Sequence, residues 1–275
     1  MHLGISSFAF GWSVGISGYK PAVLMTELDL VHFVQSNNIN CLQIADNIPL
    51  HLYSNERLDQ LKRNITSGLR FELGARKLTP AHLENFIQLA IYFKSPLLRF
   101  VIDGDQYEPK INEVIALLKD ALPELKKHKL YLGIENHDRL KGREFAAIIE
   151  ACGSEYIGIC LDTVNSIGAG EGLDQVLEIL GPYTINLHIK DFRVKRLPHM
   201  MGFEITGVPA GQGQIHIPTL LEKIISYGRC QSAVLEQWVP FTTDIDTTVE
   251  LEKKWAQSGL DYLKSLPYFT HLDKT

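Results

Sequence analysis

Four apolar runs between residues 130 and 236 each end on a side chain that can hold a proton or a metal ion. Glu135 follows Leu130-Tyr131-Leu132-Gly133-Ile134, Asp162 follows Ile157-Gly158-Ile159-Cys160-Leu161, His188 follows Thr184-Ile185-Asn186-Leu187, and Glu236 follows Ala233-Val234-Leu235. One such residue after a strand is ordinarily a helix cap, a loop hydrogen-bonder or half of an ion pair. Four in succession need another account. Buried carboxylates that converge cost roughly several kcal/mol each unless a cation compensates them, and a divalent metal supplies that charge. Oxygen donors with one imidazole favour Mn(II) or Mg(II); Co(II) fits, and Zn(II) also accepts such ligands. The expectation is one divalent ion held by Glu135, Asp162, His188 and Glu236.

Elements must exist that carry these groups to one place. Eight short apolar runs rich in β-branched residues read as strands: Leu3 to Phe8, Cys41 to Ala45, Arg70 to Leu73, Leu97 to Ile102, Leu130 to Glu135, Ile157 to Asp162, Thr184 to Ile189 and Ala233 to Glu236. Helical spacing of apolar residues follows each one, over Val23 to Gln35, Arg57 to Ile65, Pro80 to Phe93, Lys110 to His128, Arg143 to Cys152, Leu173 to Leu180, Ile217 to Tyr227 and Asp244 to Leu263. Thr79-Pro80 has the chemistry of a helix start, and Gly68, Gly153, Gly181 and Gly228 fall just past helix ends. Strict βα alternation makes the strands parallel, and eight units in 275 residues predict a single-domain (β/α)8 TIM barrel of the α/β class. An open doubly wound sheet is the alternative; the first βα turn, Ser6 to Gly18, lacks its GxGxxG. One connection breaks the rhythm: a long βα loop spans about 191 to 216, with Arg193, Lys195, Arg196, His199 and several apolar residues suited to covering an anionic ligand. His271 to Thr275 reads as a polar tail.

Composition narrows the classes. Apolar residues at 45% and charged residues at 21% describe a globular chain with a sizeable core. A net charge of -5 offers no cationic field for a phosphate backbone, so no nucleic-acid partner is expected. Neither a signal peptide nor a run of about 18 apolar residues occurs, which predicts a cytoplasmic protein with no membrane partner. Cys41, Cys152, Cys160 and Cys230 have no CxxC spacing and suit buried thiols in a reducing compartment.

GIENHD (Gly133 to Asp138), CLDTVNS (Cys160 to Ser166), NLHIKDF (Asn186 to Phe192), PAGQGQI (Pro209 to Ile215) and VLEQW (Val234 to Trp238) together resemble the xylose-isomerase-like barrel superfamily of sugar phosphate isomerases and epimerases. The stretch Gln43 to Leu50 resembles it as well, so the likeness covers nearly the whole chain. The resemblance implies that Glu135, Asp162, His188 and Glu236 hold the metal, and that Glu135 and Glu236 act as acid and base on a substrate carbon. It also allows a homo-oligomer, since such barrels pair through outer helices and long loops. Two departures matter. Asn165 stands where epimerases of this superfamily have a His, and it can orient a hydroxyl without readily taking a proton. The extra histidines of the superfamily's trinuclear-zinc endonucleases are missing after the third and fourth strands, which end in Gly74-Ala75-Arg76 and Val101-Ile102-Asp103.

Further candidates follow from position. Lys190 and His137 lie two residues past a proposed ligand, on the same side of the chain, and could polarise a substrate oxygen. Lys190 could equally pair with Asp191 or Asp162, and His137 could hydrogen-bond behind a ligand. Arg99 lies inside a strand and needs an anion, either a substrate group in the barrel or Glu72. Arg193 and His199 complete the candidate substrate contacts. The expected reaction is isomerisation or epimerisation of a keto sugar, sugar phosphate or sugar acid through a metal-stabilised enediolate. The alternative is a lyase, a decarboxylase of a 3-oxo sugar acid or a dehydratase, working through the same enediolate.

Overall fold

The computed structural model describes residues 1–269; the polar tail expected over His271 to Thr275 lies outside the described residues. Eight parallel strands close into a barrel: β1 (His2–Ser6), β2 (Cys41–Ile44), β3 (Arg70–Arg76), β4 (Leu97–Val101), β5 (Tyr131–Glu135), β6 (Ile157–Asp162), β7 (Thr184–Ile189) and β10 (Ser232–Leu235), with β10 sealing the gap between β7 and β1. Around them run α1 (Gly11–Val14), α2 (Glu27–Ser36), α3 (Asn55–Asn64), α4 (Pro80–Phe93), α5 (Ile111–His128), α6 (Gly142–Cys152), α7 (Leu173–Leu180), α8 (Ile217–Ser226) and α9 (Ile245–Lys264). Strands such as Leu97–Val101 and Ile157–Asp162 are buried at every position, one side facing the interior and the other the helices, which explains their near-continuous apolar sequences.

Local chemistry sets several boundaries. The Thr79 hydroxyl accepts from His82 N and starts α4 ahead of Pro80. Thr26 and Asp29 form a reciprocal cap, so α2 begins at Glu27 and not at Val23 as its apolar spacing suggests. The first strand ends at Ser6, because Ser7–Phe10 turns into a short 3-10 segment.

The long connection after β7 corrects the expectation of a loop. It folds into an antiparallel hairpin, β8 (Asp191–Arg196) and β9 (Phe203–Val208), whose backbone groups pair with each other. The hairpin is clasped at its base. Asp191, buried, accepts N–H groups from Phe192 (2.9 Å), Gly211 (3.0 Å), Gly213 (2.8 Å) and Ile215 (3.3 Å). A Cβ at Gly213 would stand 2.0 Å from Asp191 Oδ1, and one at Gly207 would stand 2.1 Å from the Trp238 carbonyl, so both close approaches need glycine.

Candidate metal centre at the barrel mouth

The strand register delivers the four groups. Asp162 pairs in register with His188, Glu135 with Cys160, and Glu236 leaves β10 with its N–H on the Ile189 carbonyl. Each of the four side chains is buried, at 3% exposure or less. His188 Nδ1 lies 3.8 Å from Glu135 Oε2, 3.9 Å from Asp162 Oδ2 and 3.4 Å from Glu236 Oε1. Asp162 Oδ2 and Glu135 Oε2 face the Lys190 ammonium and the Arg99 guanidinium, while His188 Nδ1 and Glu236 Oε1 are buried without a hydrogen bond. Orphaned buried polar atoms are rare and costly, and two of them among three converging carboxylates fit a divalent cation. Ligand atoms of Asp162, His188 and Glu236 all lie within 4.8 Å of one another. Glu135 and His188 make a similar group with Cys160, but burial first and then Glu135 push the Cys160 thiol far up, and it donates to Asn186 Oδ1 at 3.1 Å. A neutral thiol is a poor ligand, which leaves an oxygen-rich set.

The remaining oxygens are held by the chain. Asp162 Oδ1 accepts from the N–H groups of Val164 and Asn165 at 2.8 and 2.9 Å. Glu135 Oε1 accepts from Asn165 Nδ2 at 2.9 Å. Asn136 joins β5 to β6, its Oδ1 accepting Asp162 N at 2.7 Å and its Nδ2 donating to the Asp162 carbonyl at 3.0 Å. Asp162, Glu135, His188 and Glu236 thus each turn one atom toward the shared point while another is held by the chain, an arrangement that would fix a coordination geometry.

Two cations stand beside the carboxylates. Lys190 Nζ is 2.7 Å from Asp162 Oδ2 and 3.1 Å from Glu236 Oε2, and donates to Asn165 Oδ1 at 3.3 Å. Of its two expected carboxylate partners, then, Asp162 has it and Asp191 is engaged in the hairpin clasp. Burial lowers the proton affinity of Lys190, and Asp162, Glu236 and Glu135 more than restore it, so the ammonium stays charged. Arg99, 1% exposed, sits with Nε 2.9 Å from Glu135 Oε2 and Nη1 3.6 Å from Asp46 Oδ1. Its anion is thus neither Glu72 nor a free position. Burial opposes its charge while Glu135 and Asp46 sustain it.

Three expected substrate contacts fall elsewhere. His137 turns to Asp138 at the rim, half-buried. Arg193 and His199 need correcting: the hairpin pairing leaves both exposed, Arg193 donating to the Gln212 carbonyl and His199 Nδ1 accepting from Met201 N. Asn165, Lys190 and Arg99 do meet the cluster.

Several residues take roles that the sequence did not assign to them. Below the cluster, Gln43 of β2 accepts from His188 Nε2 at 2.8 Å, and Glu72 of β3, Asn186 of β7 and Ser232 of β10 continue a buried polar network toward Arg70. The available signal was a polar residue at an inward position of an otherwise apolar strand, as in CLQI and TINLHI.

The chain is similar to known proteins along nearly its full length. Over 264 residues the chain is 30% identical to a 3-oxo-isoapionate decarboxylase from Pectobacterium atrosepticum, covering 96% of this chain and 95% of that protein. A D-psicose 3-epimerase from Clostridium cellulolyticum H10, solved with D-tagatose, is 14% identical with a TM-score of 0.73, covering 96% of this chain and 99% of that one. A xylose isomerase-like TIM barrel protein from Mycobacterium smegmatis, solved in complex with magnesium, is 13% identical with a TM-score of 0.70, covering 95% and 97%. The sequence model of the xylose isomerase-like TIM barrel matches residues 53–266. The chain belongs to the xylose isomerase-like TIM barrel family.

Proposed function

We propose that this chain is a divalent-metal-dependent decarboxylase of a 3-oxo sugar acid, with Glu135, Asp162, His188 and Glu236 as the metal ligands. The observation that carries the metal is the convergence of three buried carboxylates on His188 Nδ1, with that nitrogen and Glu236 Oε1 left without a hydrogen bond. The choice of reaction follows from the charges around them and from the 30% identity to a decarboxylase along nearly the full length of both chains. A cation bound there would supply Lewis acidity, drawing negative charge onto the 3-oxo oxygen. In the reaction, the bond between the carboxylate and C2 breaks, its electron pair becomes the enolate, carbon dioxide leaves, and C2 takes up one proton. No C–H bond has to be broken by a base, which suits a site where Glu135 is pinned by Arg99 and Asn165.

The chain's own groups divide the remaining tasks. Lys190 presents an ammonium to the developing charge, and Asn165, held against Glu135 and Lys190, orients a substrate hydroxyl. Burial opposes the charge of Glu236, but His188, Lys190 and Arg99 hold its carboxyl well below the usual range, so it serves as the relay through which a proton passes from the Lys190 ammonium, 3.1 Å from its Oε2, to carbon. A second reading, isomerase or epimerase, is favoured by one observation: Glu135 and Glu236 both face His188 Nδ1, so a carbon above the cluster meets two carboxylates.

Incubating Mn(II)-loaded protein with 3-oxo sugar acids and with keto sugars in deuterated water separates the readings. Carbon dioxide release that stops on chelation is the expected result. Exchange of an α proton in keto sugars, without gas release from any acid, would overturn the decarboxylase in favour of the second reading.

A further inference from the structure

We propose that Glu72, on the barrel floor, is a positioning residue that sets which nitrogen of His188 is free to bind metal. The inference rests on the metal reading above and reaches further, because Glu72 touches neither the ligand cluster nor the mouth. The logic runs along hydrogen bonds of fixed direction. An ionised carboxylate only accepts. Glu72 Oε2 therefore faces the amide nitrogens of both Gln43 (3.2 Å) and Asn186 (3.4 Å), and Gln43 Nε2 also donates to Asn186 Oδ1 at 3.1 Å. With its nitrogen committed, Gln43 can show His188 only its carbonyl. His188 Nε2, 2.8 Å from Gln43 Oε1, must then carry the ring proton, which leaves Nδ1 as a lone pair aimed at the three carboxylates.

Glu72 can hold this charge inside the barrel because its other oxygen is matched. Oε1 lies 2.5 Å from Arg70 Nε and accepts from Ser232 Oγ at 2.6 Å. Arg70 opens β3, at the end of the barrel opposite the mouth, and Gln231 Oε1 accepts from its Nη2 at 2.8 Å. The tautomer of a mouth ligand is thus written from the far side of the molecule through one carboxylate and one amide.

The substitution Glu72→Gln tests the direction of this chain. Arg70 has only donors, so the new amide must turn its oxygen to Arg70 and its nitrogen to Gln43. Gln43 then flips, shows its own nitrogen to His188 Nε2, and drives the ring proton to Nδ1, into the metal position. The expected result is about 10- to 100-fold weaker Mn(II) binding by titration, the range for changes behind a ligand. Long-range proton–nitrogen NMR of metal-free protein should show His188 protonated at Nε2 in wild type and at Nδ1 in the variant. Gln43→Met, which removes the acceptor and one donor to Glu72 while leaving the carboxylate and its Arg70 partner in place, should leave a mixture of tautomers and decides the matter if Glu72→Gln does not fold. Retention of the Nε2–H tautomer and of wild-type Mn(II) affinity in the variants overturns the proposal. Wild-type protein that binds no divalent ion removes the metal reading instead, and the NMR comparison still decides whether Glu72 controls the ring.

Discussion

The floor and the mouth of this barrel are both buried, both polar and separated by one step of the strand period, yet their polar atoms have opposite fates. On the floor Gln43, Glu72, Asn186 and Ser232 answer one another, and Arg70 matches the single carboxylate. At the mouth Glu135, Asp162 and Glu236 outnumber Lys190 and Arg99, and Arg99 is shared with Asp46. One region spends its hydrogen bonds on itself; the other sets three carboxylates against two cations and leaves His188 Nδ1 and Glu236 Oε1 without a hydrogen bond. Completeness of pairing, rather than polarity or depth, separates a network that holds a shape from one that awaits a ligand.

The largest effect belongs to the floor. Arg70→Ala strands Glu72, which is fully buried, and should cost about 3 to 5 kcal/mol in urea unfolding; a loss under about 1 kcal/mol would mean that the floor charge is tolerated and the contrast is false. At the mouth the same kind of deletion should act on binding. His188→Ala is expected to weaken Mn(II) by more than about 100-fold, beyond the range of changes behind a ligand, and unchanged affinity in a calorimetric titration would break the comparison from the other side. Saturating wild type with metal at a hundred times its dissociation constant should add about 2.7 kcal/mol to stability, and the gain should vanish in His188→Ala. The smallest effect is a control: Arg193→Ala, on the exposed hairpin, should leave stability within about 0.5 kcal/mol and Mn(II) affinity unchanged.

The barrel was legible because parallel strands buried on both faces write themselves as nearly continuous apolar runs, and because β5 and β6 end on the acidic residue that interrupts the run. The same interruption made Glu135, Asp162, His188 and Glu236 visible. Gln43, Glu72 and Asn186 were hidden for the converse reason: each is a lone polar residue inside a strand, and only the closure of β2, β3 and β7 around one axis shows that they meet. Asn136 was masked by its neighbour Glu135, although it stitches Asp162 in place. The hairpin at 191–208 was read as a loop although Phe192 and Val194 alternate with Arg193 and Lys195, because the alternation is short and its apolar side is only partly covered. Arg193 and His199 followed that misreading to the wrong address.

The clasp at Asp191 has one further consequence. Consecutive backbone amides that converge on a point make a receptor for negative charge, and here the receptor is already filled by a tethered carboxylate. A free anion drawn to these amides would have to displace a carboxylate tethered to the same chain, so the clasp works as an internal counter-charge that locks the root of the hairpin to the turn at 211–215.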